Sequence, residues 1–377
     1  MNKIGNTRFI SLVIAITFML TCFTFANTNN GDKKVNAASI VNDPIVNSLA
    51  VKFKVGMVTD SGNIDDESFN QATWEGVKRA ADKLDIQAKY LKASGPTEAD
   101  YLAKIANLYA SGYRLIVCPG FMFETAIGKA QKKYPSAKFV TLDAQPKVGD
   151  VYKTGSNTAS IFFAEHQAGF IAGVAAAVKL KTGKVGFIGG MAIPPVQKFN
   201  WGFQRGIKYA NDKYKTKITM SKADFVYQGT FSDVTAGGKL ASQMFNRGVK
   251  AIFCAAGAVG IGAINEAKTR AIKGKSAWIV GVDSDQYSQG LYSTDKSVIL
   301  TSAMKRLDIA AYNMVIANSN GKFPGGKVST YTASNNGVGI PPVNPNLSAD
   351  AIAKAKDVVA KIKSKTLVVS AKDPKYF

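Results

Sequence analysis

The chain is poor in histidine and cysteine, with one His and three Cys in 377 residues. A single imidazole, His166, argues against a histidine-based metal centre or a catalytic triad. Three cysteines, Cys22, Cys118 and Cys254, argue against a disulfide framework. Cys118 and Cys254 each end an apolar run, LIVC and AIFC, and read as small buried hydrophobes. Acidic residues are also scarce: 26 Asp plus Glu face 48 Lys plus Arg, a formal charge of +22. The lysines are scattered at helix-surface spacing and there is no massed Arg-rich run. The excess therefore reads as a basic solvated surface facing an anionic envelope, and no nucleic-acid partner is expected. No P-loop, zinc spacing, nucleophile elbow, coiled-coil heptad or short tandem repeat is visible. No catalytic residue, metal or cofactor is expected.

What is present begins with a targeting segment. Lys3 and Arg8 precede the apolar stretch Phe9 to Phe25, and Val35-Asn36-Ala37 has a small-x-small pattern. Residues 1–37 are read as a signal peptide and 38–50 as a short tether. Nearly half of all residues in the chain are hydrophobic, and strand-like runs alternate with helical segments. VKFKVGMV, IQAKYLKA, YRLIVCPG and AKFVTLDA form one series; GKVGFIGG, ITMSKADFVYQG, KAIFCAAG and AWIVGVDS form a second. Such alternation predicts parallel sheets flanked by helices. Two series, each of domain size, predict two doubly wound α/β lobes. The lobes are placed at 51–158 (with part of 306–335) and 159–305 (with part of 336–377). The apolar segment Ile161 to Val178 reads as a buried helix opening the second lobe. SVILTS reads as a further strand, Met304 to Ala317 as a helix and Ser348 to Lys363 as an amphipathic helix.

Ligands of open α/β sheets bind beyond the carboxyl ends of the strands, which directs attention to DSGNIDDESFN after the first strand. Asp60, Phe69 and Asn70 lie there. Asp65 to Ser68 supply helix-capping residues, and Trp74 and Trp201 read as core. The stretches DSGNIDDESFNQATWEG, GGMAIPPVQKFNWGFQRG, GTFSDVTAGGKLA and GVDSDQ followed by LTSAMKRLDIA together resemble the basic membrane protein family. These are extracytoplasmic binding proteins of ABC transporters, including purine nucleoside receptors. The resemblance covers roughly Phe53 to Tyr312. It implies a type I periplasmic-binding-protein fold whose lobes are joined by a three-segment hinge. It also implies an ABC-transporter permease as partner, a monomer, and a location that is secreted or anchored outside the cell membrane by tether or lipid. Family members are commonly lipidated at a cysteine placed like Cys22, although Met19-Leu20-Thr21 matches the required pattern poorly.

By motif position the resemblance assigns Phe69 and Phe231, with Phe199, to stacking on a base. It assigns Asp143 to the base edge, Asp283 and Lys305 to the ribose, and Asp60 and Asn70 to further polar contacts. The chemistry fits a nucleoside. Stacking is worth about 1–3 kcal/mol per base, carboxylates accept strong bonds from N–H edges and diols, and the Lys305 ammonium has three donors on a flexible stem. Each residue also has a structural role available to it: a hydrophobic staple for Phe69 and Phe231, core packing for Phe199 or its neighbour Phe203, helix caps for Asp143 and Asp283. Gly257, in AAGAVGIGA, is read as a tight strand-to-helix turn at the cleft, because the spacing is GxxGxG and not the dinucleotide fingerprint. The DSGNIDD loop has the acidic look of a nucleoside hydrolase calcium loop, but Val58 stands where its first Asp is needed. A sugar or other small signal bound by the same fold is the alternative to a nucleoside.

Overall fold

In the computed structural model, which describes residues 53–376, the run VGMVT forms the first strand (β1, Val55–Thr59). It is buried throughout, as a continuous apolar run between two helical layers should be. Its sheet runs from edge to edge through Ala88–Lys92 (β2), β1, Leu115–Pro119 (β3), Lys138–Leu142 (β4), Thr158–Phe163 (β7) and Val328–Tyr331 (β13). All of its pairings are parallel. A small antiparallel hairpin, Lys147–Val148 (β5) with Val151–Tyr152 (β6), lies between β4 and β7. The second sheet repeats the plan: Lys217–Tyr227 (β9), Thr182–Gly189 (β8), Val249–Ala255 (β10), Trp278–Asp283 (β11), Ile299–Lys305 (β12) and Val338–Gly339 (β14). Only β14 is antiparallel to its neighbour. Both sheets therefore have the doubly wound order 2-1-3-4-5, whose ligand crevice lies where the winding direction reverses.

Nine helices are described: Phe69–Leu84 (α1), Glu98–Ala110 (α2), Glu124–Lys133 (α3), Glu165–Leu180 (α4), Pro194–Tyr214 (α5), Val234–Asn246 (α6), Ala258–Ile272 (α7), Leu307–Ser319 (α8) and Ala349–Lys363 (α9). Helices α2 and α3 cover one face of the first sheet over a core centred on Tyr101, Phe123 and Phe139. Helices α6 and α7 do the same for the second, over Met244, Ile252 and Ile264. The largest core unites the inner faces through α1, α4, α5, α8 and α9. The chain passes between sheets three times: from β7 through α4 to β8, from β12 through α8 to β13, and from β13 to β14.

The expected lobe boundary at 158 is corrected by the sheet. Thr158–Phe163 is a strand of the first sheet, hydrogen-bonded between β4 and β13, and the crossing begins only at Ala164. The helix expected from Ile161 accordingly starts at Glu165. The run SIFF is buried on both sides, and periodicity alone does not separate such a run from a buried helix. The helix expected from Met304 begins at Leu307 because Met304 and Lys305 continue β12. Trp74 packs at the margin of the core, edge-on to Tyr90, whereas Trp201 is only half-buried. Among the described residues no helix is long and apolar enough to cross a membrane. The expected signal peptide, the tether and Cys22 lie outside the described residues.

Candidate functional site

The carboxyl ends of β1, β3 and β4 face those of β8, β10 and β11 across one cleft with about 540 Å³ of unfilled space, its mouth included. All nine residues expected at a binding site, Asp60, Phe69, Asn70, Asp143, Phe199, Phe231, Gly257, Asp283 and Lys305, line it. Strand termini place most of them. Asp60 follows β1, Asp143 follows β4, and Asp283 and Lys305 end β11 and β12. Asp143 and Asp283 occupy equivalent positions in the two lobes, and both have left-handed backbone, with φ of 62° and 64°. Non-glycine residues held in that region cost of order 1–3 kcal/mol and cluster at functional sites.

Each of three carboxylates has one oxygen held by the protein and one without a hydrogen-bond donor among the described residues. Asp60 Oδ1 accepts from Gly62 N (2.8 Å) and Asn70 Nδ2 (2.9 Å). Asp283 Oδ2 accepts from Ser68 Oγ at 2.7 Å. Asp143 Oδ2 accepts from Lys305 Nζ, and its Oδ1 is buried with no partner. Burial disfavours the charged form of all three. It pushes Asp60 up to about 6, against the bonds from Asn70 and Gly62. It pushes Asp143 up to about 6, against the pull of Lys305. Asp283 rises to about 7 for the same reason.

Lys305 is 2% exposed. Its ammonium donates to Asp143 and, at 3.1 Å, to Glu165 Oε1. Burial opposes its charge, yet Asp143, Glu165 and Asp283 outweigh burial and hold it above the ordinary lysine range. The flexible cation expected at this position is instead pinned, hydrogen-bonded to Asp143 and not to Asp283. Three rings surround it, with centroids at 4.9 Å (Phe163), 5.1 Å (Phe69) and 5.9 Å (Phe199), within cation–π range.

Phe69 is the first residue of α1 and Phe231 sits in the loop after β9, so the two rings reach the cleft from opposite lobes. Phe231 lies against Gly190, where any Cβ would overlap its ring, and its carbonyl accepts from Ala258 N at 2.9 Å. Phe199 is both wall and core: it lines the cleft and meets Phe253 edge-on at 5.8 Å, while Phe203 is wholly core.

Of the capping residues expected from Asp65 to Ser68, Asp66 makes the cap bonds and Ser68 does not. Ser68 is the N-cap of α1, but its hydroxyl makes no cap bond. Asp66 does that work, accepting from the amides of Ser68 (2.9 Å), Asn70 (2.9 Å) and Gln71 (3.1 Å), and burial raises its carboxyl too. Ser68, which lines the cleft, and Glu165, which bonds Lys305 from behind it, are not among the residues expected from sequence. A carboxylate opening the apolar segment of α4 was the available signal, since a buried charge requires a partner. His166, beside it, is half-buried and outside the cleft, with burial lowering its imidazole to about 4. Among the described residues no three His, Cys, Asp or Glu side chains are grouped to hold a metal ion.

Two similar doubly wound lobes, crossed three times by the chain and enclosing a polar-and-aromatic cleft, define a two-lobed solute-binding protein of the type I periplasmic-binding class. The family described as ABC transporter substrate-binding protein, PnrA-like, matches residues 53–373. Among relatives, a CD4+ T-cell-stimulating antigen of Listeria innocua is 34% identical over 321 residues, covering 82% of this chain and 86% of that protein. The ABC transporter nucleoside-binding protein BmpA of Lactococcus lactis is 33% identical, covering 80% of this chain and 86% of that protein. The crystal structure of an ABC transporter solute-binding protein from Aeropyrum pernix superposes with a TM-score of 0.73 at 25% identity, covering 85% of this chain and 94% of that one. The chain belongs to the PnrA-like substrate-binding family of basic membrane proteins.

Proposed function

We propose that the protein captures a nucleoside, with a purine base, between its lobes outside the cytoplasm and delivers it to the permease of an ABC transporter. It would act as a monomer, retained by its N-terminal segment or a lipid, and would perform no chemistry on the ligand. One observation carries the reading: around a cleft walled by Phe69, Phe199 and Phe231, three carboxylates, the buried Asp143 and Asp283 and the half-buried Asp60, each keep one oxygen without a donor among the described residues. A flat ring with N–H edges and a diol supplies those donors and fills the space between the aromatics. The nucleoside-binding relative from Lactococcus supports the same ligand class. In this reading Asp143 meets the base edge, Asp283 the ribose hydroxyls and Asp60 with Asn70 a further polar group.

The test is calorimetric titration with guanosine, paired with Phe69→Ala. Removing the ring should weaken binding by about 1–3 kcal/mol, the stacking scale, and leave the melting temperature of unliganded protein nearly unchanged. Nucleoside released from the denatured complex should be recovered intact by mass spectrometry. Unaltered affinity in the variant would assign Phe69 to packing alone.

A pH dependence of opposite sign for binding and stability follows from the raised carboxyls. Unfolded aspartates titrate near 4, whereas the three cleft residues titrate at about 6 to 7. Across that window the folded state binds more protons, so these groups favour folding in acid and lose that contribution as pH rises. Asp283→Asn should therefore gain in melting temperature on wild type between pH 5 and pH 8. Wild-type affinity should move the other way and fall as pH drops from 8 to 5, because protonated carboxyls no longer accept two bonds. A pH-independent dissociation constant would contradict the assignment.

A further inference from the structure

The cleft is spanned by a small hydrogen-bonded cluster that touches none of the ligand-facing oxygens. Glu67, in the loop before α1, has left-handed backbone with φ of 52°, a conformation disfavoured for residues with a Cβ. Its carbonyl accepts from two side chains of the second lobe: Gln286 Nε2 at 2.9 Å and Ser284 Oγ at 3.2 Å. The next residue, Ser68, donates across the cleft to Asp283. Glu67, Ser68 and the ring of Phe69 are thus consecutive, and the first two are bonded to one short segment of the other lobe, Asp283 to Gln286.

Gln286 is built for this contact. It is 3% exposed, and its two amide atoms are divided between lobes. Oε1 accepts from Val282 N at 3.1 Å within its own lobe, which fixes the amide orientation and leaves Nε2 aimed at Glu67. Its backbone N donates to Ser302 Oγ at 3.1 Å. Strand β11 makes room for it at Gly281, where a Cβ would lie 2.6 Å from Gln286 Oε1 and 2.7 Å from Ser302 Oγ. A buried amide clamped at one end and presented at the other meets a carbonyl of the opposite lobe only when the lobes are together.

We infer that Gln286 is the closure latch of this protein: a positioning residue that holds the lobes together around the bound ligand by capturing the Glu67 carbonyl, without touching the ligand. The inference rests on the proposed binding between the lobes. A ligand stacked on Phe69 orders the start of α1 and so places the adjacent Glu67 carbonyl for capture. Breaking the latch should act on release more than on encounter, as most affinity changes within one interface do.

The test uses Gln286→Glu, which keeps the side chain's size and an oxygen for Val282 N while setting a carboxylate against the Glu67 carbonyl, and Gln286→Ala as a second variant. Guanosine release followed by stopped flow should accelerate about tenfold in each, the upper end of the scale for one lost hydrogen bond, with Ser284 Oγ still donating to the Glu67 carbonyl. The guanosine-to-dideoxyguanosine affinity ratio should stay at its wild-type value. The radius of gyration of nucleoside-saturated protein from solution scattering should increase. Wild-type release rates with an unchanged radius would overturn the latch while leaving nucleoside binding intact. Failure of the wild type to bind guanosine would instead count against the proposed function. The latch, which acts around a bound ligand, would fall with it.

Discussion

Lys305→Met should lower the stability of the unliganded protein by about 3–5 kcal/mol at pH 8, the scale for removing one member of a buried ion pair. Lys305 is bonded to Asp143 and Glu165, and all three side chains are almost fully buried. Methionine fills the space but leaves two carboxylates without a cation, with Asp283 a third negative neighbour. Because Asp143, already pushed up to about 6 by burial, relieves the conflict by taking up a proton, the deficit should shrink as pH falls towards 5. Urea melts at pH 8 and pH 5 measure both effects. A loss under 1 kcal/mol at pH 8 would show that the cluster is solvated.

Asp283→Ala should abolish discrimination between guanosine and 2′,3′-dideoxyguanosine. Sites that hydrogen-bond a hydroxyl reject analogues lacking it by about 10⁴-fold or more, since the site's polar group is left unpaired. Wild type is expected to show a preference of that order, and free guanine to bind weakly. Asp283 also accepts from Ser68 across the cleft, so the alanine variant loses an interlobe bond as well. Ser68→Ala separates the two effects: it removes that bond, and should weaken all ligands alike while the ribose preference survives. Asp65, which is exposed, should tolerate alanine without change in either quantity. Equal wild-type affinity for guanosine, its dideoxy analogue and guanine would refute the ribose assignment.

Much of the site was legible because strand-end position is a local property. Asp60, Asp143 and Asp283 each stand at the end of a long apolar run, and the ends of such runs converge in a doubly wound sheet. Two α/β series were likewise visible as alternation. What stayed hidden depends on distance along the chain. Ser68 has every local mark of a cap, and only a partner 215 residues away diverts its hydroxyl across the cleft. Lys305 looked like a flexible cation because nothing in LTSAMKR reveals that Glu165, 140 residues earlier, packs against it. The strand Thr158–Phe163 was divided between a lobe boundary and a helix because residues buried on both sides carry no periodicity.

The threefold passage of the chain between sheets also governs how the molecule is made. The first sheet lacks its β13 edge strand until residues 328–331 exist, and α1 lacks its packing partner α8 until residues 307–319 do. The second lobe in turn waits for α9, which covers α4. Contacts of such sequence separation form slowly, because the intervening loop must close before they contribute. A nascent chain ending before β13 lacks α9 and the edge strand, and so leaves part of the largest core uncovered. Completion of both lobes therefore waits on the C-terminal elements β13, β14 and α9.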